Sequence, residues 1–473
     1  MTYLSDDTLC RRISLSGENI ASGKAYGAKG DGVTDDASAI SATVSALSSS
    51  GGAVYLPVGT YLIGSEISIP GKVSIIGDGV GSTYIKSSGV NGRLNFADHG
   101  GNEKGSVSGN FSFDGNHTGT NILTLGLCVE RMFQSIEAHQ SDSDCLVLNG
   151  TQNCTFVNCT FQNNNGSNIL FDLGAGNNRF LSCEVSRAGD YNVKFVQSGS
   201  SPSGAFDLPS GNRFIGCVIE RLGWNDGAAS VDSGSGTIYH GAGRYNGFHG
   251  CDISLAGLTG AKSMLLMVKD GSNASSMLEL NDITWSGTAS YTTAIELQAN
   301  TSANLMGRHL FENHLNAFKI ADTAAVAGCW VPTLGSVTNY FTNQGGGTGV
   351  QQNLLKSLFR QRMDVLGQAG SISFATRADA HSYASWEAYP TKMRLGSGSA
   401  AANQEIAYGT FVSIEGVSIN GTSSPASYAL KVGAAHILVL AAAPTQASPD
   451  GSICLRTDTG NLYVREGGSW VLK

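Results

Sequence analysis

Glu220, Asp226 and Asp232 are three carboxylic acids within a short stretch, with Trp224 among them and Arg221 beside the first. Cleaving a glycosidic bond takes two carboxyl groups, one protonated as acid and one acting as base or nucleophile, ~5–9.5 Å apart. Glu220 with Asp226, Asp232 or Asp190 supplies the chemical types for that reaction. Trp224, Tyr191, Tyr239 and Tyr245 are amphipathic rings on which a sugar can lie. Arg187, Arg221, Asp190 and His240 complete the expected substrate contacts, the arginines by paired hydrogen bonds to an acidic sugar. Elimination is the alternative chemistry, in which a base takes the proton alpha to a uronate carboxylate and a cation holds the developing charge. Arg221 or Lys194 with Tyr191 or His240 suits those roles. The bland reading is that Glu220 and Asp190 pair with Arg187 and Arg221 as a solvated surface network.

These residues fall within a repeat. An aromatic, two spacers, a small apolar residue, one spacer and another apolar recur at Phe133-x-x-Ile136-x-Ala138, Phe156-x-x-Cys159-x-Phe161, Phe180-x-x-Cys183-x-Val185, Phe214-x-x-Cys217-x-Ile219 and Phe248-x-x-Cys251-x-Ile253. Equivalent positions are 23, 24, 34 and 34 residues apart, and Asn178, Asn212 and Asn246 stand two residues before their aromatics. Asp144-Cys145-Leu146-Val147, Asn168-Ile169-Leu170-Phe171 and Asn192-Val193-Lys194-Phe195 read as a further strand, with Asp144, Asn168 and Asn192 stacked at its turn. A period in the low twenties that tolerates insertions marks a solenoid. Short strands between turns, without a 3.6-residue period, select a parallel β-helix.

In such a helix like residues stack roughly 4.8 Å apart. The Phe, Cys and final apolar positions then form three interior ladders, and the cysteines are packing groups rather than ligands or redox partners. Aligning the coils places His139, Gln162, Ser186, Glu220 and Ser254 in one outer column and Gln140, Asn163, Arg187, Arg221 and Leu255 in the next. Asp142, Gly166 and Asp190 align ahead of the further strand. The longer steps near Glu220 place insertions at residues 196–207 and 225–236, and insertions on one face of a solenoid often build the binding groove.

Composition narrows the function classes. The chain has 473 residues, a formal net charge of −8, only 14% charged residues, 62 Gly and 9 Pro. Without a Lys/Arg run to neutralise phosphates, no nucleic-acid partner is expected. No window has the apolar length of a membrane span. The first twenty residues lack a basic segment followed by an apolar one, so a soluble protein made in a reducing compartment is expected, in keeping with unpaired cysteines.

Residues 23–85 carry Tyr26-Gly27-Ala28-Lys29-Gly30-Asp31-Gly32-Val33-Thr34-Asp35-Asp36, a helical run to Leu47, then Gly51-Gly52-Ala53-Val54-Tyr55-Leu56-Pro57-Val58-Gly59-Thr60-Tyr61. Thr34-Asp35-Asp36 suits an N-cap and an acidic first turn, so these acids and Asp31 read as structural rather than metal ligands. This stretch resembles the pectate-lyase superfamily of right-handed parallel β-helices, and in particular the cap of bacteriophage tailspikes and capsule depolymerases. The resemblance implies an all-β fold: a right-handed single-stranded parallel β-helix with an N-terminal helix cap and a C-terminal β-rich trimerisation region. The expected segments are 1–20, the β-helix at 21–342, a Gly-rich hinge and helix at 343–365, and an oligomerisation region at 366–473 ending in a hairpin similar to those of phage tail fibres.

The implied function is a homotrimeric virion tailspike, made in the host cytoplasm, that binds and depolymerises a bacterial surface polysaccharide, capsule or O-antigen. Its N-terminus would meet a phage tail or baseplate protein. Hydrolysis is favoured over elimination, because the metal-binding Asp cluster of the pectate lyases is not recognisable, and neither metal nor cofactor is expected. A non-catalytic receptor-binding spike is the main alternative. A cellular pectin-acting enzyme is weaker, since it calls for a secretion signal and has no use for the segments after Asn343.

Overall fold

Apolar runs of three to five residues, broken by Asn, Gly and Ser, make short strands that bury one side and must find neighbours for their backbone groups. The computed structural model describes residues 19–343 apart from 98–105, 200–207, 223–235, 257–261, 270–275, 289–291, 322–323, 328–329 and 335–336. It also describes 371–374, 395–397, 428–432, 435–440 and 450–473 apart from 457–458. The strands associate in parallel into a 20-stranded and a 13-stranded sheet that wind together as a parallel β-helix.

One coil shows the plan. Phe180 lies on Arg179–Leu181, a left-handed Ser182 (φ 51°) bends the chain, and Glu184–Ala188 follows on the same large sheet. A second turn leads to Val193–Phe195 in the smaller sheet. Asn158, Gly216 and Gly250 make the corresponding bend with φ of 51–60°.

The expected ladders are present. Phe133, Phe156, Phe180, Phe214 and Phe248 are in direct register. Their rings stack at centroid spacings of 4.9, 4.4, 4.6 and 4.9 Å, close to the rung spacing, so each ring rests on the next. Cys159, Cys183, Cys217 and Cys251 are all buried, and each thiol donates to the carbonyl of the Phe one coil earlier at 3.4–3.7 Å. The eight described cysteines are thiols outside any disulfide. Asn178, Asn212 and Asn246 form a buried amide ladder, each Nδ2 donating to the next Oδ1 at 2.9 Å.

Three details depart from expectation. Cys145, not Asp144, shares a rung position with Asn168 and Asn192, because Leu146 pairs with Ile169 and Ile169 with Val193. Asp142 meets Asn165, whose amide donates to it at 3.0 Å, while Gly166 and Asp190 do align. The parallel sheet also runs past 342, where Ser371–Phe374 pairs with Val337–Asn343 and Leu395–Ser397 with Ser371–Phe374. The helix expected within 343–365 lies outside the described residues. Strands Ile453–Arg456, Leu462–Glu466 and Ser469–Leu472 form the anticipated antiparallel terminal hairpins.

At the N-terminal end the helix Ala37–Leu47 buries Ala37, Ile40, Val44 and Leu47. Its acids work through backbone amides. Asp35 accepts the Ala37 N–H at 3.0 Å, whereas Asp36 turns back to Lys29 and Gly30 at 2.6 and 2.9 Å. Asp31 accepts Thr34 and Val33 amides, which hold its carboxyl down at about 2. The Gly-Asp-Gly-x-x-Asp-Asp motif is thus a self-satisfied loop. No helix among the described residues is long and apolar enough to cross a membrane.

Deleting one ring of the Phe ladder leaves a cavity that its stacked neighbours cannot close. Phe180→Ala should therefore cost ~3–5 kcal/mol, read as a lowered denaturation midpoint, while the exposed neighbour change Arg179→Ala stays near wild type.

His240, His309 and His314 are interior and neutral: burial lowers them to about 3, 4 and 4. Their folded values lie below the unfolded ~6.5, so the unfolded chain binds more protons in acid. Stability is full above that value and falls as pH drops toward about 4. Each histidine contributes up to ~1.4 kcal/mol per pH unit. Denaturation midpoints should fall from pH 7 to 5, and His240→Met, matching Met267 on the next rung, should flatten that slope.

Candidate functional site

Alternation along the second strand of each coil decides which side chains reach solvent. Val185, Ile219 and Ile253 point inward and are buried, so the residues on either side take the outer side of the strand, where Glu184, Val218 and Asp252 are exposed and Ser186 is covered. Register confirms the outer column: His139 pairs with Gln162, Gln162 with Ser186, Ser186 with Glu220, and Glu220 with Ser254. Glu220 is half-buried there.

The same register shows a second outer column that inspection of the repeats passed over. It is the spacer between Cys and the final apolar: Glu137, Thr160, Glu184, Val218 and Asp252. Glu184 and Asp252 are exposed, and each sits one rung and two residues from Glu220. From a 4.8 Å rung and a 3.3 Å rise per residue, each pair is separated by ~8 Å between backbones. Val218, 44% exposed, lies between the two acids. Gln162 and Ser112 hold Glu137 at 3.0 and 3.1 Å, and Ser186 donates to Glu184 at 3.2 Å. The spacer residue of the repeat was the available signal.

Trp224, Asp226 and Asp232 lie outside the described residues. The remaining expected contacts separate. Arg187 takes the left-handed region (φ 57°), as do Gln140 and Asn163 below it, so it stays half-buried at the surface. Arg221 keeps the regular pleat with its partner Leu255 and therefore points in. It is only 2% exposed, and its guanidinium donates to the carbonyls of Gly189 and Gly236 at 3.0 and 3.3 Å. His240 is also interior, following Phe171 and Phe195 in an inward column. Its Nδ1 is 2.8 Å from the Ser276 hydroxyl, and Asn246 donates to its Nε2 at 3.1 Å. Arg221 and His240 are thus framework groups, not substrate contacts, and cannot supply the cation and base of an elimination.

Tyr245 is 55% exposed, thrown outward by an irregularity in strand Gly243–His249, but it stands on the preceding strand of its coil. Asp190 and Tyr191 belong to the turn that leads to the third strand. There Asp190 pairs with Lys194 at 2.6 Å, and Tyr191 packs on Tyr239 with centroids 5.0 Å apart. Asp144, two coils below, accepts the Ser167 N–H at 2.7 Å, and its carboxyl is raised first by burial and then by the nearby Asp190 charge. Among the described residues no group of three or more His, Cys, Asp or Glu side chains is arranged to hold a metal ion.

Residues 20–216 match the family model described as rhamnogalacturonase A/epimerase, pectate lyase-like. This region is a pectate-lyase-like β-helix. Parallel pairing of the coils continues beyond 216. ORF18 of Geobacillus virus E2 has a similar fold over 100% of this chain and 89% of that one, with a TM-score of 0.57 at 16% identity. Short segments resemble curated proteins more strongly. The mannuronan C5-epimerase AlgE2 of Azotobacter vinelandii is 45% identical over 71 residues, 13% of this chain and 7% of the epimerase. The preneck appendage protein of Bacillus phage PZA is 41% identical over 63 residues, 13% of this chain and 7% of the appendage protein. The chain thus spans under a tenth of each of these curated relatives.

Proposed function

We propose that the protein is a phage tailspike that binds and depolymerises a bacterial surface polysaccharide by hydrolysis, with Glu220 as acid or base. The observation that carries this reading is the acidic patch on the second strands: Glu184, Glu220 and Asp252 at one-rung diagonals around the exposed Val218. With backbones ~8 Å apart, side-chain rotation can bring two carboxyl groups to the ~6.5–9.5 Å that leaves room for a water between an acid and a base. The patch also mixes an apolar centre with hydrogen-bonding edges, which suits a sugar ring. Asp226 and Asp232 remain candidate partners of Glu220, and Trp224 a candidate platform.

Likeness to proteins named as a mannuronan epimerase and an alginate lyase supports a polysaccharide ligand. Likeness to preneck appendage proteins of two Bacillus phages supports a place on a virion. The inward positions of Arg221 and His240 take them out of an elimination and leave Lys194 with Tyr191 as the pair for that second reading. The segments after Asn343 serve trimer formation in this reading. Ile453, Leu455, Leu462 and Val471 share one face of the terminal sheet and are 36–44% exposed, which leaves apolar surface for another copy.

Glu220→Gln keeps the shape and removes the ionisable group. Turnover of host polysaccharide, followed as new reducing ends, should fall ~10²-fold or more while binding survives. Unchanged turnover moves the chemistry to other carboxylates. Bound polysaccharide with no new ends from the unaltered protein makes it a receptor-binding spike without catalysis.

Light scattering should give three times the 49.1 kDa chain mass at micromolar concentration. A 49.1 kDa species ends the trimer proposal.

A further inference from the structure

A second group of side chains stands on the third face, across the turn from the Glu220 column. Lys194 pairs with Tyr239, and Tyr239 with Leu266. Their sequence neighbours Val193 and Ile238 are fully buried, so Lys194 and Tyr239 take the outward side of the strand. Lys194 Nζ lies 2.6 Å from Asp190 Oδ2 and 5.9 Å from the centroid of the Tyr239 ring. It also lies 6.0 Å from the ring of Tyr191, which is only 9% exposed and forms the floor beside Tyr239. Ser167 ties the acids together, its N–H donating to Asp144 at 2.7 Å and its hydroxyl to Asp190 at 3.4 Å.

We infer that Tyr239, Lys194 and Asp190 form a saccharide subsite that takes an uncharged sugar unit. The apolar face of the sugar rests on Tyr239, and its hydroxyls accept from Lys194 and donate to Asp190. This assignment rests on the polysaccharide reading above and adds the chemical class of one unit. An aromatic ring with a polar margin is the usual platform for a ligand that is apolar on one side and wet on the other. Charge decides against a uronate. Lys194 is already matched by Asp190, and a third carboxylate beside Asp144 and Asp190 would share one ammonium among three acids, which like-charge repulsion opposes. A neutral sugar brings no such charge. Burial raises Asp144 from its ordinary value, in line with a surface that gives weak solvation to further negative charge.

The test is titration of the full chain carrying Glu220→Gln, so that polymer is not consumed. Probes are purified bacterial surface polysaccharides of defined repeat, some built only of neutral sugars and some with a uronate at every position. Tyr239→Leu introduces the residue that occupies the next rung of the same column, Leu266, so the fold has a precedent for it. That variant should lose about tenfold in affinity for the polysaccharide bound, the equivalent of ~1.4 kcal/mol, and Tyr239→Trp should stay within about twofold of the parent. Equal affinity in Tyr239→Leu and its parent overturns the subsite, as does binding confined to all-uronate polymers. Binding of no polysaccharide in either set overturns the polysaccharide reading itself, a result distinct from retained affinity in Tyr239→Leu.

Discussion

Parallel pairing at one rung spacing is the constraint on which the rest of the molecule depends. Once Leu146, Ile169 and Val193 are in register, every residue of a coil has a fixed neighbour above and below. An inward position must then suit itself, since it meets its own kind. Phe rings do so by stacking face to face, and Asn side chains do so because each carries both a donor and an acceptor. The buried Asn178, Asn212 and Asn246 use the second amide proton as well, on the carbonyls of Thr151, Ala175 and Pro209, so the ladder leaves few polar groups unmet.

Outward positions obey the same geometry with a different result. A carboxylate on one rung is ~4.8 Å from whatever lies directly above it, so identical acids on successive rungs would repel. The two acidic columns avoid this by interleaving: Glu184, Val218 and Asp252 alternate acid and apolar residue, and Ser186, Glu220 and Ser254 alternate hydroxyl and acid. The closest acids of these two columns are therefore diagonal neighbours, ~8 Å apart between backbones, which keeps like charges off adjacent rungs.

The same rule explains what the sequence disclosed. The Phe and Cys ladders were legible because inward residues repeat in type, and Glu220 could be placed because it follows an inward residue by one. Arg221 and His240 were misjudged for one physical reason. A polar residue next in line was assigned to the surface by its chemistry, whereas the pleat assigns it to the interior unless the backbone turns left-handed. Arg187 does turn and stays at the surface, and Arg221 does not. Nothing in the residue types separates those two arginines. The one-residue error at Asp144 has a related origin, because a turn can absorb a residue without any change in the apolar pattern that follows.

Interior polar groups also limit how the surface can change. Arg221 is 2% exposed, and the turn carbonyls of Gly189 and Gly236 receive its guanidinium, as an interior polar group requires. Gly189 precedes Asp190, and Gly236 lies two residues before Ile238, at the start of the strand that carries Tyr239. The buried arginine therefore fastens the turn that presents Asp190 to the turn that leads into Tyr239. Its effect on any ligand is exerted through position rather than contact. Removing it would leave two carbonyls without their donor and loosen both turns together, so a loss of binding in an Arg221 variant would report on the framework and not on the site.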